Sequence, residues 1–220
     1  MLENQNNISP QPSTSKKGII EHVAEIFSLI FTPLLAPTYG VIISLNYTFI
    51  IGASPLSARM LATISTLAIT CMIPIIAIAI LYKLGKISDP GVNEQKDRFI
   101  PYLVTIACYI ACAIYLDYIN APKWIPMFLI GGGIAALTSV LINFKWKISA
   151  HGAGMGGLLA LIFSIWMHGY NFFDFMPFAS IALLVTGIVG SARLILRRHT
   201  LGQVIAGTLN GFFWVFILTI

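Results

Sequence analysis

The chain has 220 residues, of which 57% are hydrophobic and only 10% are charged, and its net charge is +5. Soluble globular domains carry roughly 25% charged residues, so this composition excludes an ordinary soluble domain. The apolar residues form long blocks, each of about the 20 residues that a helix needs to cross a bilayer. In lipid every backbone amide must be satisfied internally, so such blocks predict helices. The expected fold is all-α, a polytopic transmembrane helical bundle with six to seven spans.

In chain order, residues 1–18 are rich in polar residues with interspersed Pro and predict a disordered polar tail, followed by a single transmembrane domain over 19–220. The first apolar block covers about 24–50. Its prolines, Pro33 and Pro37, predict either a kinked long helix or a helix followed by a re-entrant piece. Further spans are predicted at about 58–82, 99–118, 124–143, 148–168, 175–195 and 200–220.

Small residues are frequent in these spans. Cys71, Cys108 and Cys112 all lie within predicted spans, and their scattered positions predict free, buried thiols and no zinc site. The glycines around 152–157, and Gly207 with Gly211, predict helices that approach each other closely. Such helix faces also offer a surface for a homo-oligomer.

Polar residues collect on one side of the predicted bundle. Counting crossings places three segments on the same face: the loop 83–98, the residues 145–151 and the residues 193–199. We call these three segments the basic rim. They contain many Lys and Arg residues and two histidines, but no acidic cluster that resembles a metal site.

The residue types of the basic rim suit an anion. Arg98 and Arg193 carry fixed charge, and arginine grips a phosphate with two parallel donors. Ser149 precedes a helix. Its hydroxyl and the free backbone amides of the first helical turn are expected to face an anion. His151 and His199 are suited to nucleophilic or acid–base work. An anion site with two histidines suggests phosphoryl transfer through a phosphohistidine.

Two segments of the rim resemble signatures of the type 2 phosphatidic acid phosphatase superfamily. KISAHGAG, at 147–154, is similar to the second signature, normally Pro-Ser-Gly-His. SARLILRRHTLGQ, at 191–203, resembles the third, in which Ser-Arg is followed after five residues by His and after three more by Asp. Gln203 occupies that Asp position. The first signature, Lys, six residues and Arg-Pro, is matched only by Arg98, with Lys96 as a substitute for its lysine.

The resemblance implies a function and residue roles. His199 would attack phosphorus, and His151 would protonate the leaving group and later activate water. Arg98, Arg193, Ser149 and Lys96 would hold the phosphoryl oxygens, and Gln203 would orient His199. The resemblance further implies a lipid phosphate or polyprenyl diphosphate as substrate, no metal and no cofactor.

Two other functions remain as alternatives. The first is a catalytically weak or inactive protein that binds a phospholipid headgroup. The second, a transporter, is disfavoured because the spans lack acidic residues at mid-depth and show no inverted repeat. Membrane lipids are expected partners, and nucleic acid is not. The expected location is the cell membrane, with the side open: the excess of Lys and Arg favours a cytoplasmic rim, whereas the resemblance implies the outer face.

Overall fold

The computed structural model describes residues 18–172 and 174–220, which form a helical bundle. Within these residues the only β-type pairing is an isolated bridge between Thr48 and Asn171. The helices are α1 (Ile19–Ile30), α2 (Ala36–Asn46), α3 (Ile50–Ala53), α4 (Leu56–Leu67), α5 (Ile73–Lys83), α6 (Phe99–Tyr118), α7 (Trp124–Asn143), α8 (Ala150–Met167), α9 (Phe175–Ile195) and α10 (Leu201–Thr219). The tail predicted at 1–18 lies, apart from Gly18, outside the described residues.

Among the described residues, six helical segments are long and apolar enough to cross a membrane, which confirms the predicted all-α polytopic bundle. They are Leu56–Lys83, Gln95–Tyr118, Trp124–Asn143, Ala150–Met167, Phe175–Ile195 and Leu201–Thr219. Each of the six spans predicted after the first block overlaps one of these segments. The three cysteines are buried and free, as predicted.

The first apolar block is split into separate helices. The 12 residues of α1 and the 11 of α2 give lengths of only roughly 18 Å and 16 Å, so neither crosses a bilayer alone. Pro33 has no N–H to donate to Leu29, and the α-helical pattern ends at Ile30. The turn at 31–35 then redirects the chain, and Pro37 lies in the first turn of α2, where proline is tolerated.

A second proline shapes the span Leu56–Lys83. Pro74 cannot donate a backbone hydrogen bond to Thr70, the residue four positions earlier. The helix widens into a π-helical segment over Ala68–Met72 just before it, and α5 continues beyond. A π-bulge is one of the few devices that lets a helix pass such a defect without ending. The sequence pattern predicted the span but not this widening.

The two ends of the bundle are fixed by separate sets of contacts. At the rim, Gln95 and Asn143 exchange side-chain to carbonyl hydrogen bonds, and the Ser149 amide donates to the Gln203 carbonyl at 3.2 Å. At the opposite end, the Phe49 ring packs against Trp124, and the backbone N–H of Phe49 donates to the Tyr170 carbonyl. The three rim segments therefore meet on one face, as the count of crossings predicted.

Helices α8 and α10 pack with almost no side chain between their backbones. A Cβ atom added at Gly211 would overlap the carbonyl oxygen of Ala153, and one added at Gly156 would overlap the carbonyl oxygen of Thr208. Only glycine permits so close an approach. This contact holds the start of α8 beside the start of α10, and with them His151 beside His199. These glycines serve contacts within one chain, and an oligomer stays a prediction.

We expect Gly156→Ala to destabilise the protein by about 1–3 kcal/mol, because the added methyl group must push two helix backbones apart. Gly187→Ala in α9 is the matched control, since its added Cβ would have no neighbour within 4 Å. Alanine favours a helix over glycine by up to about 1 kcal/mol, so this control should be neutral or stabilising. Melting temperatures in detergent measure both. An equal loss in the two variants would contradict the close α8–α10 contact.

Candidate functional site

A cavity of about 480 Å³ opens below the basic rim, which is within the usual size range of ligand pockets. Four of the predicted site residues line one end of it: Arg98, His151, Arg193 and His199. No Asp or Glu lines the cavity anywhere in the described part of the chain. The structure thus gathers four basic side chains from three distant segments at one place.

The rest of the cavity wall is mainly apolar and extends between the helices. Along α6 the wall runs from Arg98 to Tyr109, and along α7 from Ser139 to Phe128. Each run covers twelve residues, and its eleven steps span roughly 16 Å at the helical rise of 1.5 Å per residue. That depth is about half the hydrocarbon thickness of a bilayer. The cavity is therefore amphiphilic, with a basic head and an apolar tail.

Among the described residues, one side-chain hydrogen bond holds the His199 ring. It lies just before α10, whose N-cap is Thr200, and its Nδ1 is 3.1 Å from Oε1 of Gln203. An amide oxygen only accepts, so Nδ1 carries the hydrogen and Nε2 keeps a free lone pair. The one-turn separation of residues 199 and 203 predicted this contact. His199 is thereby oriented as a nucleophile requires.

The charge state of His199 also suits a nucleophile. Burial lowers the pKa of His199 to about 3, and the positive charges of Arg98 and Arg193 act in the same direction. The hydrogen bond to Gln203 opposes this shift without reversing it. The imidazole is therefore neutral at neutral pH in the unliganded protein.

This shift predicts that stability falls in acid. Between pH 6.5, the ordinary pKa of histidine, and about pH 3, the unfolded chain binds a proton that folded His199 does not. The free energy of unfolding must then decrease as the pH drops through this window. Melting temperatures in detergent should show a shallower decline for His199→Gln than for the parent protein. Parallel declines would contradict a neutral His199.

Gln203 has a second role that was not predicted above, although Thr200 followed three residues later by Gln203 fits the sequence pattern of a capping box. Its Oε1 also accepts a hydrogen bond from the backbone N–H of Thr200 at 3.1 Å. The Thr200 hydroxyl in turn accepts one from the backbone N–H of Gln203 at 3.4 Å. The two residues therefore form a capping box at the start of α10. The oxygen that orients His199 is also fixed by the helix end, which limits its freedom to move.

Arg193 is buried and lacks a full set of partners. Its Nη1 donates to the Ser28 hydroxyl at 3.3 Å, and its Nε has no hydrogen-bond partner among the described residues. In that same part of the chain no carboxylate lies within ion-pair distance of it. A buried charge without a counter-ion is costly, and an anion at the head of the cavity would offset that cost.

Arg98 lines the cavity, but three of its five N–H groups donate to backbone carbonyl oxygens. Its Nε donates to Val92 at 3.2 Å, its Nη1 to Ile148 at 2.9 Å and its Nη2 to Asn93 at 3.5 Å, in each case to the carbonyl oxygen. Arg98 thereby ties the loop 83–98 to the segment before α8. Two of its five N–H groups remain for a ligand.

Ser149 and Lys96, two predicted phosphate binders, are not in the cavity wall. Ser149 is fully buried, and its hydroxyl accepts the Gly152 amide at 3.1 Å as the N-cap of α8. Its predicted position at the helix start was right, but the hydroxyl faces the helix. Lys96 lies instead on an outer groove between α6 and α7.

Lys147 contributes to the positive field of the rim. It is partly buried, and burial, followed by the charge of Arg98, lowers the pKa of its ammonium group.

In the described part of the chain no three His, Cys, Asp or Glu side chains cluster closely enough to hold a metal ion. The absence of a metal requirement stays a prediction.

The sequence missed one contributor to the site, Ser28 of α1. Its hydroxyl bonds Arg193, and its carbonyl oxygen is 3.0 Å from Nε2 of His151. A serine in the first apolar block carries no motif, so no sequence signal could have indicated it.

No family model, curated protein or solved structure matches this chain. The likeness to the phosphatase signatures therefore rests on the residues of 147–154 and 191–203 and, for the first signature, on Arg98 and Lys96.

Proposed function

We propose that the protein is a membrane lipid phosphatase that hydrolyses a phosphomonoester or diphosphate through a phosphohistidine at His199. The observation that carries the proposal is the amphiphilic cavity, which joins a basic head without carboxylates to an apolar tail. A lipid phosphate has the same two parts in the same order. Its phosphoryl group would lie among Arg98, Arg193 and the two histidines, and its chain would lie between the helices.

The proposed reaction has two steps. Nε2 of His199 attacks phosphorus, and the bond to the lipid oxygen breaks. His151 enters this step as the imidazolium, with Nε2–H on the Ser28 carbonyl and a second proton on Nδ1, and gives the Nδ1 proton to the lipid oxygen. Water then attacks the phosphohistidine, His151 takes a proton from it, and inorganic phosphate leaves. The arginines stabilise the charge on the equatorial phosphoryl oxygens during both steps, as positioned cations do in phosphoryl transfer.

The second candidate is a protein that binds a phospholipid headgroup without hydrolysis. It is favoured by the occupied donors at the site, because Arg98 and His151 both bond backbone carbonyl oxygens. It is also favoured by Gln203, which brings no negative charge to His199. The cavity suits both candidates, and turnover distinguishes them.

The test is phosphate release from a panel of lipids in detergent: phosphatidic acid, phosphatidylglycerophosphate, undecaprenyl diphosphate and lipid A. We expect release from at least one of them, undiminished by EDTA and blocked by vanadate, which mimics the trigonal-bipyramidal transition state. Activity that EDTA abolishes and magnesium restores would contradict the mechanism. Tight binding of these lipids without release would favour the headgroup binder.

A further inference from the structure

Ser28 connects the first helix to two candidate site residues through two different atoms. Its carbonyl oxygen is 3.0 Å from Nε2 of His151, and its hydroxyl oxygen accepts Nη1 of Arg193 at 3.3 Å. Ser28 itself is buried. Helix α1 thus contacts both the proposed proton donor and the proposed phosphate-binding arginine.

The Ser28 carbonyl is available to His151 because α1 ends there. The Phe31 amide bonds the Phe27 carbonyl, and the Thr32 amide bonds the Leu29 carbonyl. Within 18–172 and 174–220, no backbone N–H therefore donates to the Ser28 oxygen, as is usual for the last carbonyls of a helix. The carboxyl end of a helix carries partial negative charge and attracts cationic groups. The end of α1 consequently faces the basic head of the cavity.

This contact selects the tautomer of His151. A carbonyl oxygen only accepts, so Nε2 carries the hydrogen and Nδ1 keeps the lone pair. His199 has the opposite arrangement, with the hydrogen on Nδ1 and the lone pair on Nε2. Each ring thus has one nitrogen fixed by an oxygen acceptor and one nitrogen free for chemistry, as oriented imidazoles in functional sites require.

We infer that Ser28 is a positioning residue of the phosphoryl site, whose carbonyl orients His151 and whose hydroxyl holds Arg193. The inference rests on the proposed function only in taking a phosphoryl group as the ligand. It assigns a role to α1, which lies outside the segments that resemble phosphatase signatures. The opposite role is a plug, in which Ser28 occupies these two donors until a ligand displaces it.

Phosphate binding separates the two roles without turnover. The full-length variants Ser28→Ala, Ser28→Thr and Ser44→Ala are titrated with inorganic phosphate and with vanadate. Ser44 on α2 is also a buried serine; it does not line the cavity, and its hydroxyl has no hydrogen-bond partner among the described residues. We expect Ser28→Ala to weaken binding about tenfold, because Arg193 is then no longer held in place for the phosphoryl oxygens. Ser28→Thr should restore binding, and Ser44→Ala should not change it.

Unchanged binding in Ser28→Ala would overturn the inference, and tighter binding would establish the plug. If the parent protein binds phosphate but releases none from any lipid, the proposed function fails while this comparison still stands. Where turnover exists, Ser28→Ala should raise KM more than it lowers kcat.

The tautomers are a second readout that a purely structural role would not require. Protein labelled with ¹⁵N at histidine has four ring systems, and His151→Gln and His199→Gln assign two of them. We expect the Nε2–H tautomer for His151 and the Nδ1–H tautomer for His199. The Nδ1–H tautomer at His151 would show that the carbonyl contact is not made and would overturn the inference.

Discussion

Replacing His199 by alanine should abolish phosphate release while the protein still folds and binds its lipid. The change removes the only nitrogen that the proposal allows to attack phosphorus. Removing the nucleophile or the base from a hydrolase triad lowers turnover by about 10⁶. Initial rates on the best lipid of the panel measure the loss, and the melting temperature in detergent reports the fold.

His168→Ala is the matched control. His168 also follows a long helix and bonds a backbone carbonyl, that of Ser164 at 2.9 Å, but it lies at the end of α8 away from the rim. This variant should keep parental turnover. Loss of activity in both variants at unchanged stability would contradict the assignment of the nucleophile.

Gln203→Glu and Gln203→Asp should raise turnover, whereas Gln203→Leu should lower it. Gln203→Glu and Gln203→Asp bring a negative charge to Nδ1 of His199, which stabilises the positive charge that develops on the phosphorylated ring. Charge-assisted hydrogen bonds are roughly twice as strong as neutral ones, and a gain of about 1.4 kcal/mol raises a rate tenfold. Glutamate also suits the third position of a capping box, whereas aspartate is one methylene shorter.

Gln203→Leu should lower turnover sharply, by about 10² or more, because the ring loses its fixed tautomer. A serine-protease triad whose aspartate becomes asparagine loses about 10⁴. The leucine variant also loses half of the capping box, so its melting temperature must be measured beside kcat. If Gln203→Asp leaves an inert protein inert on every lipid phosphate tested, and the parent binds such lipids tightly, headgroup binding becomes the better account.

Most of the fold could be predicted because each membrane span corresponds to a long block of apolar residues in the sequence. Counting the membrane crossings also placed 83–98, 145–151 and 193–199 on the same face. The cavity agrees with that count, because residues of all three segments line it: Arg98, His151, Arg193 and His199. The prolines of the first block indicated an interruption. They left the kinked and the split helix open, because that choice depends on how the turn at 31–35 packs.

What the sequence could not give are contacts that depend on orientation. The spacing placed Ser149 at the start of a helix, but a serine there either caps the helix or faces a ligand, and packing against α10 decided for the cap. Lys96 and Arg98 lie in the same short 3-10 helix and line the same outer groove, but only Arg98 also reaches the cavity, and the spacing of the two residues did not indicate which of them would. Ser28 reaches the site only because α1 ends beside His151.

The most direct test of the central claim is to trap the phosphorylated protein. The parent chain is mixed with ³²P-labelled lipid phosphate, quenched within the first turnovers and digested for mass spectrometry. We predict an acid-labile, base-stable phosphoryl group on the peptide that contains His199, absent from His199→Ala and retained in His168→Ala. Phosphate release without any label on His199, or a label on another residue, would contradict the account.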